Sequence, residues 1–420
     1  MLDEFKITSL LDTDYYKLTM SQLFQEKWPN EIATFNFINR TDINLANVLS
    51  IDKDFNIDYI RSGLESYSKL TLTSKERKFL EAQGIFSQSY LDWLESGADL
   101  DKVEIKVEDK DGDLHMTFTG PWASATLFEV PALAIVSDTY YTAIFFNKIT
   151  EYSEGKGNPP KIGNLYAAKI KLREKIDKLI DGVKFVDFGT RRRYGKDWQN
   201  EVIEECINYA SNNFVGTSNV YYAMRYNIPV VGTMAHECFM GYSRLFGDSE
   251  EDIRRSHSEF LNDWWEMYGE KLSIALTDTF GTKFFFEDFA PHAEKWKGIR
   301  QDSGDPYKFG ESAIKFYEDL GIDPKEKMLV FSDGLNFEKM VDLYRAFGNR
   351  IQVSFGIGTN LTNDVGEDPI SIVVKLSEIN GKNTVKLSDN IAKATGNVDT
   401  VKKFKDIFDY DVNYYEKTVY

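Results

Sequence analysis

Apolar and polar residues alternate over 33–39, the period-two signature of a half-buried strand. The stretches 56–70 and 75–97 instead carry apolar residues at helical spacing, and each predicts an amphipathic helix. Val103-Glu104-Ile105-Lys106-Val107 is set to pair with 114–119 across the turn-rich Asp109-Lys110-Asp111-Gly112-Asp113. Together these elements predict an α+β domain over 1–135. After Pro121 the pattern changes to a long apolar helix through Leu127, Ala134 and Ile144, ended by the break Gly155-Lys156-Gly157-Asn158-Pro159-Pro160. A basic helix over 164–181 follows.

From there short apolar runs alternate with helical stretches, the runs spanning 183–189, 228–233, 273–278, 298–302, 328–333 and 351–356. Such alternation implies parallel strands joined by helical crossovers. Each run closes on small or polar residues. Clusters at so many strand ends favour a closed (β/α) barrel over an open doubly wound sheet, because closure brings every strand end around one mouth. The barrel is predicted over 136–380. The last part, 370–376 and then 386–420, returns to short strands and aromatic, acidic segments, and about 380–420 is expected to complete the N-terminal domain.

Composition narrows the function. With 420 residues, 42% of them apolar, the chain can bury a large core. Its net charge of −17 repels nucleic acid and anionic membranes, so neither is an expected partner. An anionic ligand would need a local basic pocket set against that global field. Cys206 and Cys238 are the only thiols, which excludes a disulfide scaffold and fits a reducing, cytoplasmic setting. The apolar stretch 127–136 is interrupted by Glu129 and Pro131 and is too short to span a bilayer.

Chemistry concentrates at the strand ends. Gly232-Thr233-Met234-Ala235-His236-Glu237 presents a lone histidine between a strand terminus and a helix start. A neutral imidazole attacks phosphorus and titrates near neutrality, so His236 is a candidate nucleophile; the plain alternative is a satisfied structural histidine. No Cys or His pair has the short spacing of a zinc cage. Arg300-Gln301-Asp302-Ser303-Gly304-Asp305-Pro306 joins a cation suited to carboxylate or phosphate with an Asp302 suited to sugar hydroxyls or Mg²⁺. Its alternative is a salt-bridged loop.

Ser354-Phe355-Gly356-Ile357-Gly358-Thr359-Asn360 is a glycine-rich turn able to face backbone N–H groups toward phosphate, although Leu361 stands where a third fingerprint glycine would be. It and Ser332-Asp333-Gly334-Leu335 close late, consecutive strands, where barrels commonly bind phosphate. Asp187-Phe188-Gly189-Thr190-Arg191-Arg192-Arg193 brings an aromatic ring and three guanidinium groups to another strand end. A solvated basic helix start accounts for one or two of these arginines. Asp14-Tyr15-Tyr16-Lys17 alone reads as an ordinary helix start.

Taken in order, Thr13-Asp14-Tyr15-Tyr16-Lys17-Leu18, Glu129-Val130-Pro131 and the five clusters above resemble the nicotinate phosphoribosyltransferase family almost end to end. The resemblance implies an irregular α/β barrel of the type II phosphoribosyltransferases with a sheet-containing domain built mainly from the N-terminal region. It implies synthesis of nicotinate mononucleotide from nicotinate and 5-phosphoribosyl 1-diphosphate in NAD salvage, with ATP as co-substrate and Mg²⁺ as cofactor. His236 would be transiently phosphorylated and Asp278 would orient its imidazole. Tyr16, Thr233 and Arg300 would contact nicotinate, Phe188 would stack on it and Arg191 would stand near the phosphates. Gly356, Gly358 and Thr359 would cradle the 5-phosphate, while Asp302 and Ser332-Asp333-Gly334 would hold the ribose and its phosphate. In related dimers the Tyr16 position acts across a subunit interface, so a homodimer is an option here. Preference for nicotinamide or quinolinate, or a non-catalytic nucleotide-binding barrel, are the alternatives.

Overall fold

The computed structural model describes residues 7–50, 55–156 and 165–416. In chain order its strands are β1 (Ile32–Asn39), β2 (Glu104–Lys110), β3 (Asp113–Pro121), β4 (Phe185–Asp187), β5 (Phe214–Thr217) and β6 (Ile274–Leu276), then β7 (Gly298–Gln301), β8 (Met328–Phe331), β9 (Gln352–Ile357), β10 (Ile372–Ile379) and β11 (Lys382–Asn383). They form an antiparallel sheet in the order β11-β10-β1-β3-β2 and a parallel sheet in the order β5-β4-β9-β8-β7-β6.

The alternation over 33–39 builds β1, whose Phe35 and Phe37 turn inward. The hairpin pairs Glu104 with Thr119 and Lys110 with Asp113, as the pattern predicts. Two helices, Ser74–Gln83 and Gln88–Glu95, replace the single one expected over 75–97. Gly84 takes a left-handed conformation (φ 65°) that ends the first, and Ser87 caps the second through the Tyr90 N–H. The long apolar helix is Glu129–Ser153, preceded by tight turns over 122–128. Pro131 is tolerated because the first-turn N–H groups have no intrahelical acceptor. The basic helix is Leu165–Ile176; Gly157-Asn158-Pro159-Pro160 and residue 164 lie outside the described residues.

Although β10 falls inside the stretch predicted for the barrel, 136–380, it joins the antiparallel sheet. It pairs with β1 from Ala33↔Ile379 to Asn39↔Ile372. Its apolar face, with Val374 and Leu376 buried, finds complementary cover there. The N-terminal sheet is thus completed by a strand that begins 340 positions after the start of β1, at Ile372 against Ile32.

The parallel sheet confirms the β/α alternation, with two irregularities. The pattern missed β5, which offers only four residues around Gly216. The run 228–233 does not enter the ladder as a strand; it lies extended between the two sheet edges. Thr217 N–H donates to the Pro229 carbonyl (3.2 Å) and Val231 N–H to the Thr217 carbonyl (3.0 Å), while Thr233 Oγ1 donates to the Ile274 carbonyl (3.2 Å). This segment therefore links β5 to β6 and closes the ring irregularly. Glycine is required at 216, since a Cβ there would sit 2.1 Å from the Pro229 oxygen. Ile299, Leu329, Phe331 and Phe355 are buried, and Phe331 packs against Phe309 and Phe347 of the helices outside the sheet. Among the described residues no helix is long and apolar enough to cross a membrane.

Candidate active site

Parallel strands point their carboxyl ends one way, so the loops after β4, β5, β7, β8 and β9 gather at one rim. The antiparallel sheet faces that rim. Between them lies a cavity bordered by Phe188, Arg191, His236, Arg300, Asp302, Ser332, Asp333, Gly334, Gly356, Gly358 and Thr359 from the barrel side. Tyr16, Arg40, Glu129, Lys375, Lys386 and Lys393 border it from the other. Tyr16 and His236 share this cavity within a single chain.

His236 opens the helix His236–Tyr242 and is 5% exposed. Its Nδ1 lies 2.9 Å from Thr279 Oγ1 and its Nε2 lies 3.1 Å from Asp302 Oδ2. Asp302 is ionised and can only accept, so Nε2 carries the proton and the Thr279 hydroxyl donates to Nδ1. Burial and the Lys386 ammonium push the imidazole pKa down to about 4, against the pull of Asp278 and Asp302. The ring is therefore neutral near pH 7. Burial opposes ionisation of Asp302, yet its hydrogen bond to His236 and the charge of Arg300 hold it well below the usual carboxylate range.

Asp278, expected from the resemblance to orient the ring, stands 3.7 Å from Nε2, beyond hydrogen-bond range. Its Oδ2 accepts from Ser303 and, at 3.3 Å, from Ser388, whereas Oδ1 is buried without a partner. Thr233 is also absent from the cavity border. Its hydroxyl is engaged with Ile274 and its carbonyl accepts from Thr19 Oγ1 (2.9 Å), which makes it part of the ring closure.

The remaining predicted residues converge. Arg300 borders the cavity with a buried Nε that has no partner, a donor that an anion would satisfy. Arg191 lies 3.5 Å from Glu129 and 4.0 Å from Asp14. Burial raises the pKa of the Tyr16 phenol, which stays a protonated donor. Asp302 Oδ1 accepts from Ser332 Oγ (2.9 Å), and Lys393 pins Asp333 while reaching the Asp302 carbonyl (3.1 Å). Gly356 has a packing task besides the one its motif suggests. The Phe188 ring lies directly over it, so its missing side chain makes room for an aromatic wall.

Sequence reasoning missed Thr279, Lys375 on β10, and Lys386 and Lys393 in the segment that follows β11. Lys375 is the one charge in Ile372-Val373-Val374-Lys375-Leu376, and a cation inside an apolar strand was the available signal. Burial and neighbouring Lys386 push its pKa down to about 7, against Glu129. Beneath the cavity, Lys17 is fully buried between Glu129 (2.5 Å), Glu237 (2.6 Å) and Thr126 (3.1 Å), a role its helix-start pattern did not reveal. Arg40, Arg191, Arg300, Lys375, Lys386 and Lys393 together make the local basic pocket required of an anion site on so acidic a chain.

A strand-end cavity on an irregular α/β ring, walled by basic residues from an appended antiparallel sheet, defines a type II phosphoribosyltransferase architecture. The chain matches the nicotinate phosphoribosyltransferase N-terminal domain over 11–137 and the nicotinate phosphoribosyltransferase family over 183–412. It resembles the crystal structure of nicotinate phosphoribosyltransferase from Porphyromonas gingivalis, with 30% identity, a TM-score of 0.83, and coverage of 96% of this chain and 100% of that one. A putative nicotinate phosphoribosyltransferase from Saccharomyces cerevisiae aligns at 28% identity and TM-score 0.84, over 98% and 100% of the two chains. That from Vibrio cholerae gives 28% and 0.81, over 97% and 95%. The chain belongs to the nicotinate phosphoribosyltransferase family.

Proposed function

We propose that this transferase joins nicotinate to 5-phosphoribosyl 1-diphosphate and couples the reaction to ATP through phosphorylation of His236. The observation that carries the reading is the neutral imidazole of His236 in one cavity with Phe188, Arg191 and Arg300. In the transfer step the bond from ribose C1 to diphosphate oxygen breaks, the leaving group takes the electron pair, and the pyridine nitrogen bonds to C1. The transition state carries oxocarbenium character at C1 and growing charge on diphosphate, so fixed cations stabilise it and acid–base chemistry is scarcely needed. Arg191, Arg300, Lys375, Lys386 and Lys393 supply that charge. Phe188 offers a face for the pyridine ring, and Arg300, with its unpartnered Nε, is suited to the nicotinate carboxylate.

Mg²⁺ suits oxygen donors, and the cavity-facing carboxylates of Asp302 and Asp333 are the residues that would hold it beside the diphosphate. When bound, the ion would neutralise leaving-group charge.

For phosphorylation, Nε2 must surrender its proton. In the other neutral tautomer Nδ1–H donates to Thr279 Oγ1, which accepts as readily as it donates, and Nε2 offers its lone pair to the γ-phosphorus. The bond to ADP breaks as the N–P bond forms; water later cleaves N–P and releases phosphate. A phosphoryl group on His236 adds roughly −1.5 to −2 charge, by analogy with phosphoserine, facing the basic wall, and so favours an ordered substrate-binding state.

The test is nicotinate mononucleotide formation with and without ATP, together with γ-labelled ATP. Acid-labile label on the wild type and none on His236→Ala is expected. ATP-independent turnover with no label overturns the coupling, and faster turnover of nicotinamide or quinolinate overturns the substrate choice.

A further inference from the structure

We propose that His236 Nε2, Asp278 Oδ1 and Asp302 Oδ2 form a three-ligand site for a zinc-class divalent cation, with the fourth position open to the cavity. These donor atoms come from three separate loops, and they are the one His/Cys/Asp/Glu group among the described residues arranged to hold a metal ion. The spacing argument against zinc does not apply to ligands assembled from 236, 278 and 302, because no short sequence interval brings them together.

The distances suit the ion. Tetrahedral zinc with ligands at about 2.0–2.2 Å holds neighbouring donor atoms about 3.3–3.6 Å apart. Nε2 is 3.1 Å from Asp302 Oδ2 and 3.7 Å from Asp278 Oδ1, and all three atoms lie within 4.8 Å of one another.

An independent observation points to a ligand. Asp278 is 1% exposed and its Oδ1 has no hydrogen-bond partner, although its other oxygen is held by Ser303 and Ser388 and lies 3.7 Å from the Lys386 ammonium. A buried carboxylate oxygen left empty beside an imidazole nitrogen is an acceptor waiting for a cation.

The surroundings supply what metal sites need. Thr279 Oγ1 can accept from Nδ1–H and so fix the tautomer that frees Nε2, while Ser303 and Ser332 steady the two carboxylates. Two carboxylates and a neutral imidazole balance a divalent charge, and the Lys386 ammonium, 3.7 Å from Asp278 Oδ2, adds one positive charge beside them. The nitrogen ligand favours zinc over Mg²⁺. Bound there, the ion occupies the lone pair that the proposed phosphorylation uses, and it would inhibit the ATP-coupled reaction. Only that consequence rests on the proposed function; binding does not.

The experiment uses the full chain in phosphate-free buffer with Zn²⁺ alone, titrated against a chromophoric chelator. One saturable equivalent is expected, retained in millimolar Mg²⁺ and weakened at least tenfold in H236N and D278N. D288N, at the separate His257–Asp288 pair, should bind as the wild type does. No saturable equivalent in the wild type, or unchanged affinity in folded H236N and D278N, overturns the proposal. Should those variants misfold, acylation of wild-type His236 by diethyl pyrocarbonate decides it. Saturating zinc must protect this histidine, and full modification in its presence overturns the site.

Discussion

The Phe188 ring lies so close over Gly356 that a Cβ on Gly356 would sit 2.3 Å from Phe188 Cδ2. A contact this short cannot be absorbed without moving the ring, and the ring is the cavity's aromatic wall. Gly356→Ala should therefore displace Phe188. Loss of a stacking contact of about 1 kcal/mol predicts a rise in the KM for nicotinate of several-fold to tenfold. Steady-state kinetics check this. The KM for ATP should stay within twofold, and an unchanged KM for nicotinate would show that Phe188 does not contact the ring.

Lys17 is fully buried, and burial opposes its charge; Glu129 and Glu237 overcome that opposition and raise its pKa. Lys17→Met keeps the volume and removes the charge, leaving two buried carboxylates short of their cation. Trp122 Nε1 (2.8 Å) and Thr126 Oγ1 (2.9 Å) still donate to Glu237, so the loss is partial. A destabilisation of about 3–5 kcal/mol is expected. Urea unfolding should show a lower midpoint with an unchanged slope. A midpoint equal to the wild type's would mean the carboxylates protonate or hydrate at little cost.

The legible and illegible parts of this molecule separate along the range of the interactions. His236, Arg300, Asp302 and Asp333 could be read because each sits within a few residues of the end of a short apolar run, and strand ends are local features. Gly84 interrupts a helical period without disturbing the spacing of the apolar residues around it, so one predicted helix became two. The closure through 228–233 and the pairing of β10 with β1 depend on contacts between distant segments, and no local pattern carries them. Lys375 enters the site only through that pairing. Thr279 is one position past the predicted carboxylate and became visible only when the imidazole's neighbours were known.

Lys375 gives the cavity a pH-dependent cation. With its pKa pushed down to about 7, the ammonium is charged below neutrality and increasingly neutral above it. Attraction for an anionic substrate should then weaken as pH rises through 7. The KM for 5-phosphoribosyl 1-diphosphate is expected to climb between pH 6.5 and 8.5 in the wild type and to remain flat in Lys375→Gln, whose KM should be high throughout. Parallel profiles for the two proteins would assign the pH dependence to another group.

The depressed pKa of His236 makes a thermodynamic prediction with a defined sign. Folding lowers it from 6.5 to about 4, so between those values the unfolded chain binds a proton that the folded chain refuses. Stability from this group is complete above pH 6.5 and is lost as pH falls toward 4, by about 3 kcal/mol in total. Asp14, whose pKa burial raises to about 6, acts in the opposite direction over part of the same range, so the comparison must be with a variant lacking only the imidazole. His236→Asn keeps a polar side chain that does not titrate. Unfolding free energies measured at pH 7.5 and 4.5 should fall further in the wild type than in the variant, by about 2–3 kcal/mol. Equal losses would mean that the imidazole accepts a proton in the folded state, and the neutral nucleophile proposed at this position would then be wrong.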